Sequence, residues 1–88
     1  MSNLATVTLQ SNTEYTNLAT LASITFTQGS VYTLQIDGDV MICEKATKPT
    51  AGGFRINYNY PFQFEAGTDA LWVKNVGKNA DSIINIAD

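Results

Sequence analysis

The stretch Val31-Tyr-Thr-Leu-Gln-Ile-Asp37-Gly38-Asp39-Val-Met-Ile-Cys43 constrains this chain more than any other. Two runs rich in β-branched and aromatic residues flank an Asp-Gly pair, the strongest short-range signal for a β-hairpin. Two registers fit. A two-residue loop at Asp37-Gly38 pairs Leu34 with Met41 and Tyr32 with Cys43. A three-residue loop, Asp37–Asp39, instead sets Val40 and Ile42 beside Ile36 and Leu34. A shift of one residue turns a strand's side chains to its other face, so these are different cores. Val40–Cys43 is apolar on both faces and suits a strand covered twice, by a second sheet or by a neighbouring subunit.

The flanking sequence supplies more short strands. Ala5–Leu9 alternates, with Val7 and Leu9 on one side. Residues 11–17 are polar and turn-like. Leu18–Ala22 reads as a short turn or bend leading into a strand over Ser23–Thr27, and Gln28-Gly29-Ser30 as a tight connection. Residues 44–53 form a loop ending in Gly52-Gly53. Phe54–Tyr60 alternates cleanly, with Phe54, Ile56, Tyr58 and Tyr60 on one face, and Pro61 marks a strand end or an edge. Phe62–Phe64, Leu71–Lys74 and Ser82–Ile86 are further strands. Turn signals recur roughly every 8–12 residues. The expected fold is all-β: a small antiparallel β-sandwich or barrel of about seven to eight short strands with little or no helix. It forms one domain, with residues 1–17 as an N-terminal arm or first strand and residues 18–88 as the core.

Composition narrows what such a domain can do. With 88 residues the chain buries only about 60–65% of its unfolded surface. A small β domain without disulfide or metal often gains stability by oligomerising. There is one cysteine and no histidine, which excludes an internal disulfide, a Cys/His metal cluster and a Ser–His or Cys–His dyad. No metal and no cofactor are expected. The net charge is −3, and the five cations Lys45, Lys48, Arg55, Lys74 and Lys78 are scattered, which argues against nucleic acid. No apolar run approaches the roughly 20 residues of a membrane-spanning helix, and the first ten residues do not resemble a signal peptide. A protein made in the cytoplasm, with no membrane partner, is expected.

The carboxylates Asp37, Asp39, Glu44, Glu65 and Asp69 sit in or beside turns, where such residues form turns or solvated surface. Asp37-Gly38-Asp39 lacks the further oxygen ligands and the flanking helices of a calcium loop. Cys43, in an apolar strand, reads as a buried inert thiol. Two aromatic features remain: the ladder Tyr58, Tyr60, Phe62, Phe64 around Pro61, and the single Trp72. They fit a core, or a subunit interface anchored by Tyr and Trp, or stacking platforms for sugar rings. The candidate interface residues are Tyr58, Tyr60, Phe62 and Trp72, together with Val40 and Ile42 from the doubly apolar strand.

The series Gly38-Asp-Val-Met-Ile, Pro49, Gly53-Phe-Arg-Ile, Phe62-Gln-Phe, Ala66-Gly-Thr, Leu71-Trp-Val-Lys74 and Ile83-Ile-Asn-Ile86 resembles small virion proteins of tailed bacteriophages. The likeness runs from Val31 to Asp88. It implies a non-enzymatic structural protein of the particle, of the head-decoration (cement) or head-fibre type. It also implies a homo-oligomer, in the typical case a trimer, seated on the major capsid protein at the capsid surface. A carbohydrate- or receptor-binding module of a fibre or spike is the alternative, with Tyr58, Tyr60 and Trp72 as its platform. The N-terminal segment reads as an arm able to add to a neighbour's sheet edge.

Overall fold

The structure is a computed structural model that describes residues 3–11, 14–57, 61–77 and 80–88. Eight strands and one helical turn occur among them. They are β1 (Asn3–Leu9), β2 (Thr16–Asn17), α1 (Leu18–Ala22), β3 (Val31–Asp37), β4 (Asp39–Lys45), β5 (Phe54–Asn57), β6 (Pro61–Glu65), β7 (Ala70–Asn75) and β8 (Ser82–Ala87). Two four-stranded antiparallel sheets result, ordered β1-β8-β3-β6 and β2-β7-β4-β5. The pairs are nested, β4 with β5, β3 with β6, β2 with β7 and β1 with β8, and fall alternately in the two sheets. This is the strand order of a jelly roll.

The strong turn signal at Asp37-Gly38 does not make a hairpin. β3 and β4 lie in different sheets, so neither expected register forms. The reason is visible in the burial pattern. Tyr32, Leu34, Ile36, Val40 and Ile42 are all buried, so one inward face continues through Gly38 without a break in parity. Val31–Lys45 is therefore a single extended run, bent at Gly38 from one sheet into the other. Each half gains strand partners on both sides, β8 and β6 for β3, and β7 and β5 for β4, where a hairpin supplies one. Gly38 has φ +138°, and a Cβ there would lie 3.0 Å from the Cα of Ser82 and 2.7 Å from its Cβ. Glycine is needed at this corner for close approach to β8, rather than for a hairpin turn.

The core lies between the sheets. Leu34, Ile36, Ile84 and Ile86 from the first sheet meet Val40, Ile42, Leu71 and Val73 from the second. Each such side chain contributes about 1.5–3 kcal/mol by leaving water. The ambiguous segment at Leu18 is one turn of helix. The Asn17 side chain accepts from the amides of Ala19 (3.0 Å) and Thr20 (3.4 Å), the usual N-cap arrangement. α1 packs on β1, β2 and β7 with Leu18 fully buried, at the side of the sandwich where β1 and β2 are the edges.

The strand expected over Ser23–Thr27 does not form. Ser23 adopts the left-handed conformation (φ 57°) and turns the chain away. The Thr27 amide then donates to the Tyr32 hydroxyl (2.7 Å) instead of to a neighbouring strand. Phe26 still reaches the core, with its ring 4.8 Å from Tyr32 and 5.2 Å from Phe64.

Candidate functional site: an apolar cleft at the open edge of the sandwich

The side of the sandwich opposite α1 has β5 and β6 as its two edges. Phe54 of β5 is the cross-strand partner of Ile42, so it occupies an inward-facing position. Ile42 is 3% exposed, yet Phe54 is 78% exposed. The difference arises because nothing among the described residues of the first sheet reaches far enough to cover the end of β5. Phe62 of β6, opposite Leu34, is half-buried. Between them lies a cleft of about 480 Å³ lined by Ile42, Cys43, Glu44, Gly53, Phe54, Phe62 and Leu71.

Aromatic packing supports one wall. The Phe62 and Phe64 rings are stacked at 6.5 Å with 9° between their planes, and Phe64 in turn meets Tyr32 at 5.8 Å. The Phe62 ring therefore rests on a cluster rooted in the core. The other wall is held by a strap on the outer face of the second sheet. Tyr15, 5% exposed, donates its hydroxyl proton to the carbonyl of Gly52. Lys48 bonds Glu14 at 2.7 Å, Pro49 is buried, and Lys74 Nζ stands 5.9 Å from the centre of the Tyr15 ring. Gly53 has φ +108°, and a Cβ there would lie 2.5 Å from both the Ile42 carbonyl oxygen and the Tyr15 hydroxyl. The strap thus holds residues 48–53 close against β4 and aims the next residue, Phe54, at the cleft.

Among the described residues, three groups have shifted proton affinity. Burial raises the Tyr15 phenol above its ordinary value, with the neighbouring Cys43 adding to the effect. The Lys48 ammonium lowers the Glu14 carboxyl, by its hydrogen bond first and its charge second. The Arg55 guanidinium grips Asp39 through Nε at 2.8 Å and through a second nitrogen, and this hydrogen bonding holds the Asp39 carboxyl low. Asp39 is thereby committed to an ion pair on the outer face of the second sheet. Among the described residues, Glu44 is the one carboxylate lining the cleft. The arrangement is suited to burying an apolar side chain beside a single negative charge.

The candidate interface residues separate into four groups. Phe62 lines the cleft and Ile42 forms its floor. Val40 is fully buried, so it and Ile42 are covered by the chain's own facing sheet rather than exposed to a neighbour. The opposite face of β4, with Met41 and Cys43 half-buried, lies on the Tyr15 side of the sheet. Trp72 sits half-buried on the outside of the second sheet, and its indole N–H donates to the Lys45 carbonyl at 2.9 Å. Tyr58 and Tyr60 lie outside the described residues. Sequence reasoning missed Phe54 and Tyr15. Phe54 carries a signal in the alternation Phe54, Ile56 following Gly52-Gly53, but its exposure depends on which strand becomes an edge. No protein-family model, curated protein or solved structure matches the chain.

Proposed function

We propose that this chain is a non-enzymatic structural protein of a tailed-phage particle, binding the head in many copies and bracing neighbouring major capsid subunits. The observation that carries the reading is the exposed Phe54 ring at the inward-facing end of edge strand β5, in a cleft built from the stretch that resembles phage virion proteins. The occupant of the cleft is an apolar side chain of the capsid subunit, flanked by a cation that meets Glu44. The jelly-roll strand order supports the reading by analogy, since it recurs in viral shell domains; fold alone does not specify function. Bracing follows from mass action: a ligand that binds the assembled shell and not the loosened one stabilises it by RT ln(1 + [L]/Kd). Repetition over the lattice adds avidity. The resemblance also implies a homo-oligomer.

The test is co-sedimentation of the purified chain with phage heads that lack it. The wild type is expected to pellet with the heads and Phe54→Ser to remain in the supernatant. Equal pelleting of the two removes the cleft from the interaction, and no pelleting of the wild type contradicts the reading.

A further inference from the structure

Among the described residues, the four sheet edges are β1, β6, β2 and β5. Three are guarded in ways that discourage strand addition. β2 has two residues, β5 has four and carries Arg55, and β6 begins at Pro61 and ends at Glu65. β1 is different: it has seven residues, Asn-Leu-Ala-Thr-Val-Thr-Leu, with no charge and no proline, although α1 packs beside it. Its one irregularity is the register shift between Asn3 and Ala5, where Leu4 is the extra residue opposite β8. A bulge ends regular pairing, so the regular ladder of β1 runs over Ala5–Leu9.

Those five residues read almost the same in both directions: Ala5-Thr6-Val7-Thr8-Leu9 is apolar, Thr, Val, Thr, apolar about Val7. We propose that β1 pairs antiparallel with β1 of a second copy across a two-fold axis at Val7, joining the two first sheets into one continuous sheet. In that register Val7 meets Val7, each Thr6 meets the other chain's Thr8, and each Ala5 meets the other chain's Leu9. Parity is kept on both faces. Ala5, Val7 and Leu9 are the inward positions, with Val7 8% and Leu9 2% exposed, and Thr6 and Thr8 are exposed outward. Antiparallel Thr–Thr pairs and apolar pairs both favour such a ladder. A two-fold axis requires a self-complementary surface, which this run supplies and which brings no like charges together. The Leu9 carbonyl accepts from Asn75 Nδ2 at 2.9 Å, so the ladder centres on Thr6–Thr8. Five residues per chain bury less than the ~1,200 Å² of a standard stable interface, so the pair forms where copies are concentrated.

Sedimentation equilibrium of the full chain over about 10 μM to about 1 mM tests this, that range bracketing a weak dimer. Two double variants act on positions that are exposed in the protomer. T6K/T8K places ammonium groups opposite one another across the axis, whereas T6E/T8K places opposite charges there. The expected result is a wild-type dimer, about tenfold weaker association for T6K/T8K, and association by T6E/T8K at least equal to wild type. Circular dichroism of both variants checks that each is folded. A wild type that is monomeric throughout, a dimer indifferent to T6K/T8K, or equal weakening by both variants overturns the proposal. A trimer overturns it too, and leaves the particle-binding reading of the cleft intact.

Discussion

The Tyr15 hydroxyl donates a hydrogen bond to the Gly52 carbonyl and so ties the segment before β2 to the loop that presents Phe54. Removing it with Tyr15→Phe is expected to cost about 0.5–1.5 kcal/mol in urea unfolding, toward the low end because water can reach the exposed Gly52. Gly53→Ala is expected to cost more. Its methyl group meets the Ile42 carbonyl and the Tyr15 hydroxyl, at a φ that itself costs on the order of 1–3 kcal/mol for an L-residue.

The same tyrosine makes stability depend on alkaline pH. Its pKa is raised in the folded chain, so the neutral phenol is the form the fold favours. The contribution is fully present below pH 10, the ordinary value, and is lost as pH rises through the higher folded value. Unfolding midpoints followed from pH 8 to 12 are expected to fall more steeply for wild type than for Tyr15→Phe. Parallel curves would remove Tyr15 from the account.

Asp39 acts in the opposite sense at acid pH. Arg55 holds its carboxyl below the ordinary 3.8, so the pair's contribution is present above that value and is lost as pH falls through the lower folded one. Arg55 is 59% exposed, and solvent screening limits the pair to at most about 1 kcal/mol. Asp39→Asn is expected to lower stability by at most about 1 kcal/mol at neutral pH and to flatten the acid limb, so that the variant and wild-type curves converge below about pH 4.

Gly38 and Gly29 separate backbone strain from close packing. Both have positive φ, but a Cβ at Gly29 meets nothing within 4 Å, whereas one at Gly38 meets Ser82. Gly29→Ala is therefore expected to show strain alone, on the order of 1 kcal/mol. Gly38→Ala is expected to cost at least about twice that, because β8 must move. Equal losses would mean that the corner between the sheets is looser than described.

Ile42 and Phe54 face each other across β4 and β5 and make a second contrast. Ile42→Ala is expected to cost about 2–5 kcal/mol, as for other buried aliphatic residues. Phe54→Ser, at a position 78% exposed, is expected to stay within about 0.5 kcal/mol of wild type in urea unfolding. A large loss for Phe54→Ser would show that its ring belongs to the fold rather than to a binding surface.

The alternations at Val7/Leu9, at Tyr32/Leu34/Ile36 and in the Leu71 strand, broken by polar turns, make the all-β sandwich legible in the residues themselves. The partnering of strands is not legible in this way. Asp37-Gly38 carries a local hairpin signal, but the choice between turning back and crossing to the other sheet depends on β8, β6, β7 and β5, which are distant in sequence. The parity Ile36, Gly38, Val40 holds the only local trace of the crossing. The candidate site suffers more from the same limit. Val40 and Phe54 both stand at apolar inward positions, yet Val40 falls in a central strand and Phe54 in an edge strand, and burial follows that placement. Tyr15 lies in a polar segment, and its role depends on a loop 37 residues away.

Quantitative mass spectrometry of purified phage particles formed in cells that make this chain tests the proposed function most directly. The account predicts the wild-type protein at a copy number on the scale of the head lattice, and strong depletion of Phe54→Ser from particles when the variant is made at the same level in the cell. Absence of the wild-type chain from purified particles would contradict it.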